Sequence, residues 1–132
     1  MSIPVVPGAG RENVRIVQEL YAAFARLDPE VVWCEPANPY NPAAGTRRGH
    51  AGFLEWARIG HEAEDVIEVE PQRFLVDADA VAVVGRTVCR ARATGRTYAT
   101  DFAHLVVLRD GKVVLFREYF DTWAAAAAFR TG

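Results

Sequence analysis

The feature that most constrains this chain is its C-terminal half, where four strand-like segments follow one another with only short turns between them. They cover Val66 to Val76, Ala80 to Arg92, Thr97 to Leu108 and Lys112 to Phe120. The segments are rich in β-branched and aromatic residues, and turn-favouring residues such as Asp110-Gly111 separate them. Strands joined by short turns pair as antiparallel hairpins, so the sequence predicts a large, mostly antiparallel sheet.

Helical patterns lie on both sides of these strands in the sequence. Apolar residues recur at three- and four-residue steps from Glu12 to Leu27, which predicts an amphipathic helix ended by Asp28-Pro29. A second helix is predicted from Ala51 to Glu62, and a short alanine-rich one from Thr122 to Arg130. With a further short strand from Val31 to Glu35, the chain is predicted to be an α+β protein whose curved sheet is lined by helices.

Length and composition favour one domain. The chain has 132 residues, of which 51% are apolar, enough to bury one core. We expect residues 1–11, with their prolines and glycines, to form a flexible arm and residues 12–132 to form a single domain. Cys34 and Cys89 have neither disulfide-framework nor zinc-site spacing, so we expect both to be reduced core residues.

Charge and hydropathy exclude several classes of partner. The net charge is -2 and basic residues are scattered among acidic ones, so neither nucleic acid nor an anionic membrane is an expected partner. No apolar run approaches the roughly 20 residues that span a bilayer, and the N-terminus lacks a signal-peptide pattern. A cytoplasmic protein is therefore expected.

The turn between the last two strand segments sets their pairing. Arg109-Asp110-Gly111 fits a three-residue hairpin loop with glycine in the left-handed conformation. His104 is then predicted to lie opposite Phe116. Glu118 lies one alternation further along the same face.

The preceding hairpin extends this face onto a third strand. Thr94-Gly95 fits a two-residue loop, which is predicted to set His104 near Gly85. The shared face should be the concave, helix-covered one, because it is apolar except for small hydroxyls and two titratable groups. Its predicted members are Val81, Val83, Gly85, Thr87, Cys89, Thr100, Phe102, His104, Val106, Val114, Phe116, Glu118 and Phe120.

The opposite face is predicted to be charged at one end and apolar at the other. Asp101 and Asp121 fit an outer ion-pair ladder with neighbouring arginines, although a register error of one residue would make them the functional carboxylates. The apolar end predicts a homodimer interface, because soluble monomers rarely expose so much contiguous apolar surface. Its residues are Leu105, Val107, Val113 and Leu115.

His104 and Glu118 are the principal candidates for chemistry. A histidine and a carboxylate that face one apolar pocket form a general acid/base pair, although such a pair is about as often a structural hydrogen bond. Tyr21 alone fits a core tyrosine and Glu35 alone a surface carboxylate, but together on pocket-forming elements they favour a site. The residues predicted to contact a substrate are Trp33, Trp56, Thr87, Cys89, Thr100, Phe102 and Phe120.

No motif for a metal, nucleotide or flavin is recognised, so no cofactor is expected. His50 and His61 lie about 16 Å apart along the second predicted helix, too far to share a metal ion. Surface or capping roles are expected for both.

Three stretches of the C-terminal half resemble the superfamily of ketosteroid isomerases, limonene epoxide hydrolases and SnoaL-like polyketide cyclases, which share the nuclear transport factor two fold. The stretches are Ala93-Thr94-Gly95-Arg96-Thr97-Tyr98, Arg109-Asp110-Gly111-Lys112-Val113 and Phe116-Arg117-Glu118-Tyr119-Phe120-Asp121. The resemblance covers about residues 12 to 130. It implies a cystatin-like, cone-shaped sheet wrapped around N-terminal helices.

The resemblance also implies roles for the candidate residues. Tyr21 matches the tyrosine of the isomerase oxyanion hole, Glu35 matches its catalytic base, and His104 falls where the isomerase has a protonated aspartate. The SnoaL-like aldol cyclases space a histidine and an acid/base carboxylate as His104 and Glu118 are spaced, with aspartate in place of glutamate. These matches imply proton-transfer chemistry.

Two departures from the superfamily pattern affect this prediction. The arginine and first aspartate of the epoxide hydrolases fall at Gly85 and Thr87, so water attack on an epoxide is not expected. The segment between Tyr21 and Glu35 is shorter than usual, so the small helix that caps the cone should be missing or reduced.

These observations favour a cofactor-independent acid/base enzyme that acts on a small apolar, polyketide- or steroid-like carbonyl compound. The reaction would be an isomerisation, an aldol-type cyclisation or a dehydration. Glu118 or Glu35 would take a proton while His104 and Tyr21 bind the developing oxyanion. The alternative is a non-catalytic small-molecule-binding or dimerisation module, because a fold does not determine a function.

Overall fold

The computed structural model describes residues 26–131, which form six strands and two helices. The predicted arm, Tyr21 and nearly all of the first predicted helix lie outside these residues. Leu27, the last residue of that predicted helix, belongs to a strand. The elements are β1 (Leu27–Glu35), β2 (Gly45–Arg48), α1 (Gly49–Ala63), β3 (Glu64–Asp77), β4 (Ala80–Ala91), β5 (Thr97–Arg109), β6 (Lys112–Phe120) and α2 (Thr122–Phe129). The α+β class is confirmed.

The strands form one curved sheet in the order β2-β1-β6-β5-β4-β3. All neighbours are antiparallel except β1 and β6, which run parallel. The four predicted C-terminal strands are all present, and their ends differ from the predicted ones by no more than two residues. No helix within residues 26–131 is long and apolar enough to cross a membrane.

Strand β1 is longer than predicted. It begins at Leu27 and includes Asp28-Pro29, where the sequence predicted a helix end. The β1–β6 pairing is irregular between Leu27 and Val32, so Pro29 lies where no regular ladder hydrogen bond is needed. Strand β2 was not predicted, because its glycine- and arginine-containing sequence lacks the usual strand signals.

The β5–β6 turn differs from the prediction. It contains two residues, Asp110 and Gly111, with φ of 51° and 74° respectively, and it joins Arg109 directly to Lys112. Aspartate tolerates the left-handed conformation better than most residues, and two consecutive left-handed residues suit a tight hairpin.

A register shift in the same hairpin pairs His104 directly with Glu118, not with Phe116. The shift lies between Val107 and Leu108, beyond which Leu108 is opposite Val113. Val113 is therefore fully buried in the core, so its predicted place on the outer face is wrong.

The β4–β5 connection, in contrast, is longer than predicted, with Arg92–Arg96 between the strands. Thr94 donates its hydroxyl hydrogen to the backbone oxygen of Ala128, which ties this connection to α2. His104 consequently lies opposite Val83, and the predicted pairing with Gly85 is wrong by two positions. An error of two positions keeps a side chain on the same face.

The concave face holds the core, as the alternation predicted. Phe102, His104 and Val106 are buried on β5, and Val81 and Val83 are buried on β4. The outer face exposes Asp101 opposite Arg86, and Asp121 accepts a hydrogen bond from the Ala124 backbone N–H as the N-cap of α2. The alternative that would turn these two aspartates into the pocket is wrong.

Candidate active site

A cavity of about 190 Å³ lies on the concave face, lined by α1 and by five strands. Nine of the predicted site residues line it: Glu35, Trp56, Thr87, Cys89, Thr100, Phe102, His104, Glu118 and Phe120. Four further lining residues, Glu64, Val66, Val69 and Tyr98, were not predicted. Tyr21, the remaining predicted catalytic residue, lies outside the described residues.

Side chains alternate between the two faces of a strand, and this alternation places the site residues on the concave face. His104 on β5 and Glu118 on β6 are directly paired, so both side chains leave the same face. On the other side of β6, Cys34 pairs with Arg117 in the parallel ladder, which places Glu35 beside Glu118. Three neighbouring strands therefore bring Glu35, Glu118 and His104 together.

The His104–Glu118 pair is held tightly. His104 Nε2 lies 3.1 Å from Glu118 Oε2. The imidazole is only 7% exposed, and it stacks on Phe102 with ring centroids 4.3 Å apart while Phe116 contacts it from 4.9 Å. Aromatic packing thus fixes the ring, and Glu118 fixes the direction of its Nε2.

Glu35 is held through both carboxylate oxygens. Trp56 Nε1 donates to Oε1 at 3.0 Å, and Asn41 Nδ2 donates to Oε2 at 2.6 Å. Burial, followed by the nearby charge of Glu118, raises the pKa of Glu35 to about 7, although the two hydrogen bonds oppose this change. Near neutral pH this carboxyl group is therefore divided between its acid and base forms.

Asn41 is a site residue that sequence reasoning missed. It lies in the long loop after β1, is buried, and accepts a hydrogen bond from the Ala43 backbone N–H at 3.0 Å. That bond fixes the amide so that its NH₂ group faces Glu35. The only signal was an asparagine within a loop long enough to shape a site.

A second polar pair lines the β3 side of the cavity. The Tyr98 hydroxyl donates to Glu64 Oε2 at 2.7 Å. Burial is the largest cause that raises the pKa of each group, so the phenol stays protonated at physiological pH. Tyr98 shares its face with Thr100 by the two-residue period, and one more step of the predicted alternation would have found it.

Trp33 is a core residue, and its predicted place in the pocket wall is wrong. Its indole is 4% exposed and stacks on Phe116, with centroids 3.9 Å apart and planes at 10°. It also packs against Phe53 and Trp56, so it supports the helix that carries Trp56.

The two threonines that line the cavity both donate their hydroxyl hydrogens to backbone oxygens, so they shape the cavity without offering a donor to a ligand. Thr87 donates to the Glu68 backbone oxygen at 2.8 Å, and Thr100 donates to the Asp101 backbone oxygen at 2.7 Å. Burial raises the pKa of the neighbouring Cys89 thiol, which keeps it in the unreactive protonated form.

His50 lies at the start of α1 and contacts the backbone of β1. His50 Nε2 lies 2.9 Å from the Leu27 backbone oxygen, a structural interaction at the start of α1. Within residues 26–131 no group of three His, Cys, Asp or Glu side chains is arranged to hold a metal ion.

Solved structures with related sequences share this architecture. An NTF2-like protein from Burkholderia xenovorans LB400 is 32% identical, with a TM-score of 0.86 over 92% of this chain and 98% of that one. TerC, co-crystallised with polyporic acid, is 26% identical, with a TM-score of 0.80 over 91% and 99% of the two chains. A Mesorhizobium loti protein named for the SnoaL-like polyketide cyclases is 17% identical with a TM-score of 0.72 over 86% and 99%, and shows the fold alone.

The family comparison agrees with these structures. No functionally curated protein matches the sequence significantly. The family profile of the SnoaL-like domain matches residues 17–116, which include Glu35, His104 and most of the cavity lining. The chain therefore belongs to the SnoaL-like domain family and has the NTF2-like fold.

Proposed function

We propose that this protein is a cofactor-independent acid/base enzyme that moves a proton next to the carbonyl group of a small, largely apolar compound. The observation that carries the proposal is the position of Glu35. Its pKa is raised to about 7, and it faces the same cavity as the His104–Glu118 pair. A group with this pKa is well suited to take and return protons at neutral pH.

Glu35 acts as the base in this proposal. Each of its oxygens accepts one hydrogen bond, which holds the carboxylate in place while lone pairs remain to accept a proton. The proton leaves the carbon next to the carbonyl group, and the electron pair moves into the carbonyl oxygen to give an enolate. Return of the proton to another carbon, or attack of the enolate on a second carbonyl group, completes an isomerisation or a cyclisation.

In this proposal His104 donates a hydrogen bond to the carbonyl oxygen of the substrate. Glu118 directs the imidazole through its contact with Nε2, and an imidazole nitrogen that carries a hydrogen is a donor. A hydrogen bond from this ring would strengthen as negative charge develops on the substrate oxygen, because His104 itself is buried. Tyr21 remains a predicted second donor.

The relatives support a small organic ligand. TerC was co-crystallised with polyporic acid, and the Mesorhizobium loti protein is named for polyketide cyclases. The apolar part of this cavity lining, with Trp56, Phe102 and Phe120, suits an aromatic or alicyclic ring.

Exchange of the α-hydrogens of 2-tetralone with D₂O, followed by proton NMR, tests the proposal. The wild-type protein should accelerate exchange over buffer, and Glu35→Gln should lower the rate by about 100-fold or more while 2-tetralone still binds. Glu62→Gln, on an exposed carboxyl of α1, is the matched control and should leave the rate unchanged. Binding without exchange by the wild-type protein would instead support a ligand-binding module.

A further inference from the structure

Polar side chains enter the cavity from two separate regions of the concave face. Glu35, Glu118 and His104 come from β1, β6 and β5, whereas Glu64 begins β3 at the far edge. The proposed reaction uses only the first group, so the Glu64–Tyr98 pair has no role in it.

The geometry of this pair determines what it can bind. Because the Tyr98 hydroxyl gives its hydrogen to Glu64 Oε2, the phenol has no hydrogen left to donate to a ligand. Glu64 Oε1 accepts no hydrogen bond from any described residue, although the side chain lines the cavity. This side of the pocket therefore presents an acceptor that suits a hydrogen-bond donor.

The charged residues that line the cavity also favour an uncharged ligand. The described lining residues include Glu35, Glu64, Glu118 and His104 but neither lysine nor arginine. The three carboxyl groups are near enough for their charges to affect one another. A carboxylate or phosphate on the ligand would add a further negative charge to a cavity whose described lining already holds three carboxyl groups and no lysine or arginine, at considerable cost.

We propose that Glu64, held by Tyr98, is a specificity-determining residue that binds a hydroxyl group of an uncharged substrate. This inference rests on the proposed function, because the carbonyl end of the substrate is placed at His104 and Glu35. The role of Glu64 narrows the substrate class to neutral hydroxylated carbonyl compounds. Their ring system would lie across Phe102 and join the carbonyl group to the hydroxyl group.

The test compares four ligands by isothermal titration calorimetry: 2-tetralone and its 6-hydroxy, 6-methoxy and 6-carboxylate derivatives. A hydrogen bond to a carboxylate should make the hydroxy compound bind about tenfold tighter than the methoxy compound. The carboxylate derivative should bind at least about tenfold more weakly than 2-tetralone itself.

Two variants assign these preferences to Glu64. Glu64→Met should abolish the preference for the hydroxy compound and leave the affinity for 2-tetralone within about twofold. Glu64→Gln keeps the shape and the hydrogen bond from Tyr98, so it should stay folded and bind the carboxylate derivative more tightly. Glu70→Met, on an exposed part of the same strand, is the matched control and should change neither ratio.

Failure of this inference is distinct from failure of the proposed function. Equal affinities for the hydroxy and methoxy compounds in the wild-type protein, or an unchanged preference in Glu64→Met, would overturn the role of Glu64 while exchange by Glu35 continued. Absence of binding by all four ketones would overturn the proposed function and this inference together.

Discussion

Phe102 and Gly85 lie opposite each other in the β4–β5 ladder, and the phenyl ring fills the space that a side chain on Gly85 would need. A Cβ atom on Gly85 would lie 2.7 Å from Phe102 Cζ and 2.9 Å from Pro71 Cα, and it would overlap the Glu70 backbone oxygen. The aromatic floor of the cavity thus depends on the absence of a side chain from the neighbouring strand.

Gly85→Ala should destabilise the protein by about 1–3 kcal/mol, because two of the contacts are with the backbone of β3 and cannot relax by rotating a side chain. Urea unfolding measures the loss. Gly60→Ala, where a Cβ would meet no atom within 4 Å, should be neutral or stabilising by up to about 1 kcal/mol. Equal stability of Gly85→Ala and wild type would contradict the packing described.

The proposed reaction should depend on pH through Glu35. With a pKa of about 7, the base form increases as pH rises, so kcat/KM for exchange should rise up to about pH 7 and then level off. Glu118→Gln removes a like charge, so the midpoint of its residual activity should move to lower pH. A wild-type profile that is flat from pH 5 to 9 would exclude Glu35 as the base.

Stability should fall as pH rises, again because of Glu35. The pKa of Glu35 is about 7 in the folded state and 4.5 ordinarily, so the folded protein binds this proton more tightly than the unfolded chain. The resulting contribution to the free energy of unfolding is fully present below about pH 4.5 and is lost as pH rises through about 7. The full effect is on the order of 3 kcal/mol. Urea unfolding at pH 5 and pH 8 should show a smaller difference for Glu35→Gln than for wild type, and equal differences would refute the assignment.

Trp56→Phe should raise the pKa of Glu35 further, because it removes the hydrogen bond to Oε1 that favours the charged form. Carbon-13 NMR of the Glu35 carboxyl group measures this directly and does not require activity. Trp33→Phe is the control, since the Trp33 indole nitrogen has no hydrogen-bond partner among the described residues. It should leave the titration midpoint where it is in wild type.

The outer face is proposed to form a homodimer, with Leu105, Val107 and Leu115 at its centre. Val107 and Leu115 are paired and half-buried on that face, whereas Val113 is in the core. Leu115→Glu should give monomers in sedimentation velocity under conditions where wild type is dimeric. Leu54→Glu, at an exposed apolar residue of α1, should remain dimeric. A monomeric wild-type protein would contradict the proposal.

Local patterns were sufficient to predict the four C-terminal strands and the inward direction of His104 and Glu118, but not the exact pairing or the face of Val113. Both hairpins were predicted two positions from their observed registers, and the period of a strand is two, so His104 and Glu118 still faced inward. The sequence permits a left-handed Asp110 but does not require it.

Features set by tertiary packing were not predictable. The shift that buries Val113 depends on how β5 and β6 fit the core, and Trp33 is excluded from the cavity because Phe53 and Trp56 of α1 pack over it. Glu64 was missed because α1 passes directly into β3 without a turn, so the strand begins before its apolar alternation does.

The parallel contact between β1 and β6 joins segments from opposite ends of the described chain, and loop closure over so many residues is entropically costly. Contacts of such long sequence separation tend to form late in folding. Detachment of β1, together with β2, which among the described strands pairs only with β1, would carry Glu35 away from Glu118 while the four-stranded meander from β3 to β6 stayed paired. The proposed activity would then be lost through a local opening of β1, at a lower denaturant concentration than unfolding of the rest of the sheet. Hydrogen exchange of the β1 amides would measure this opening.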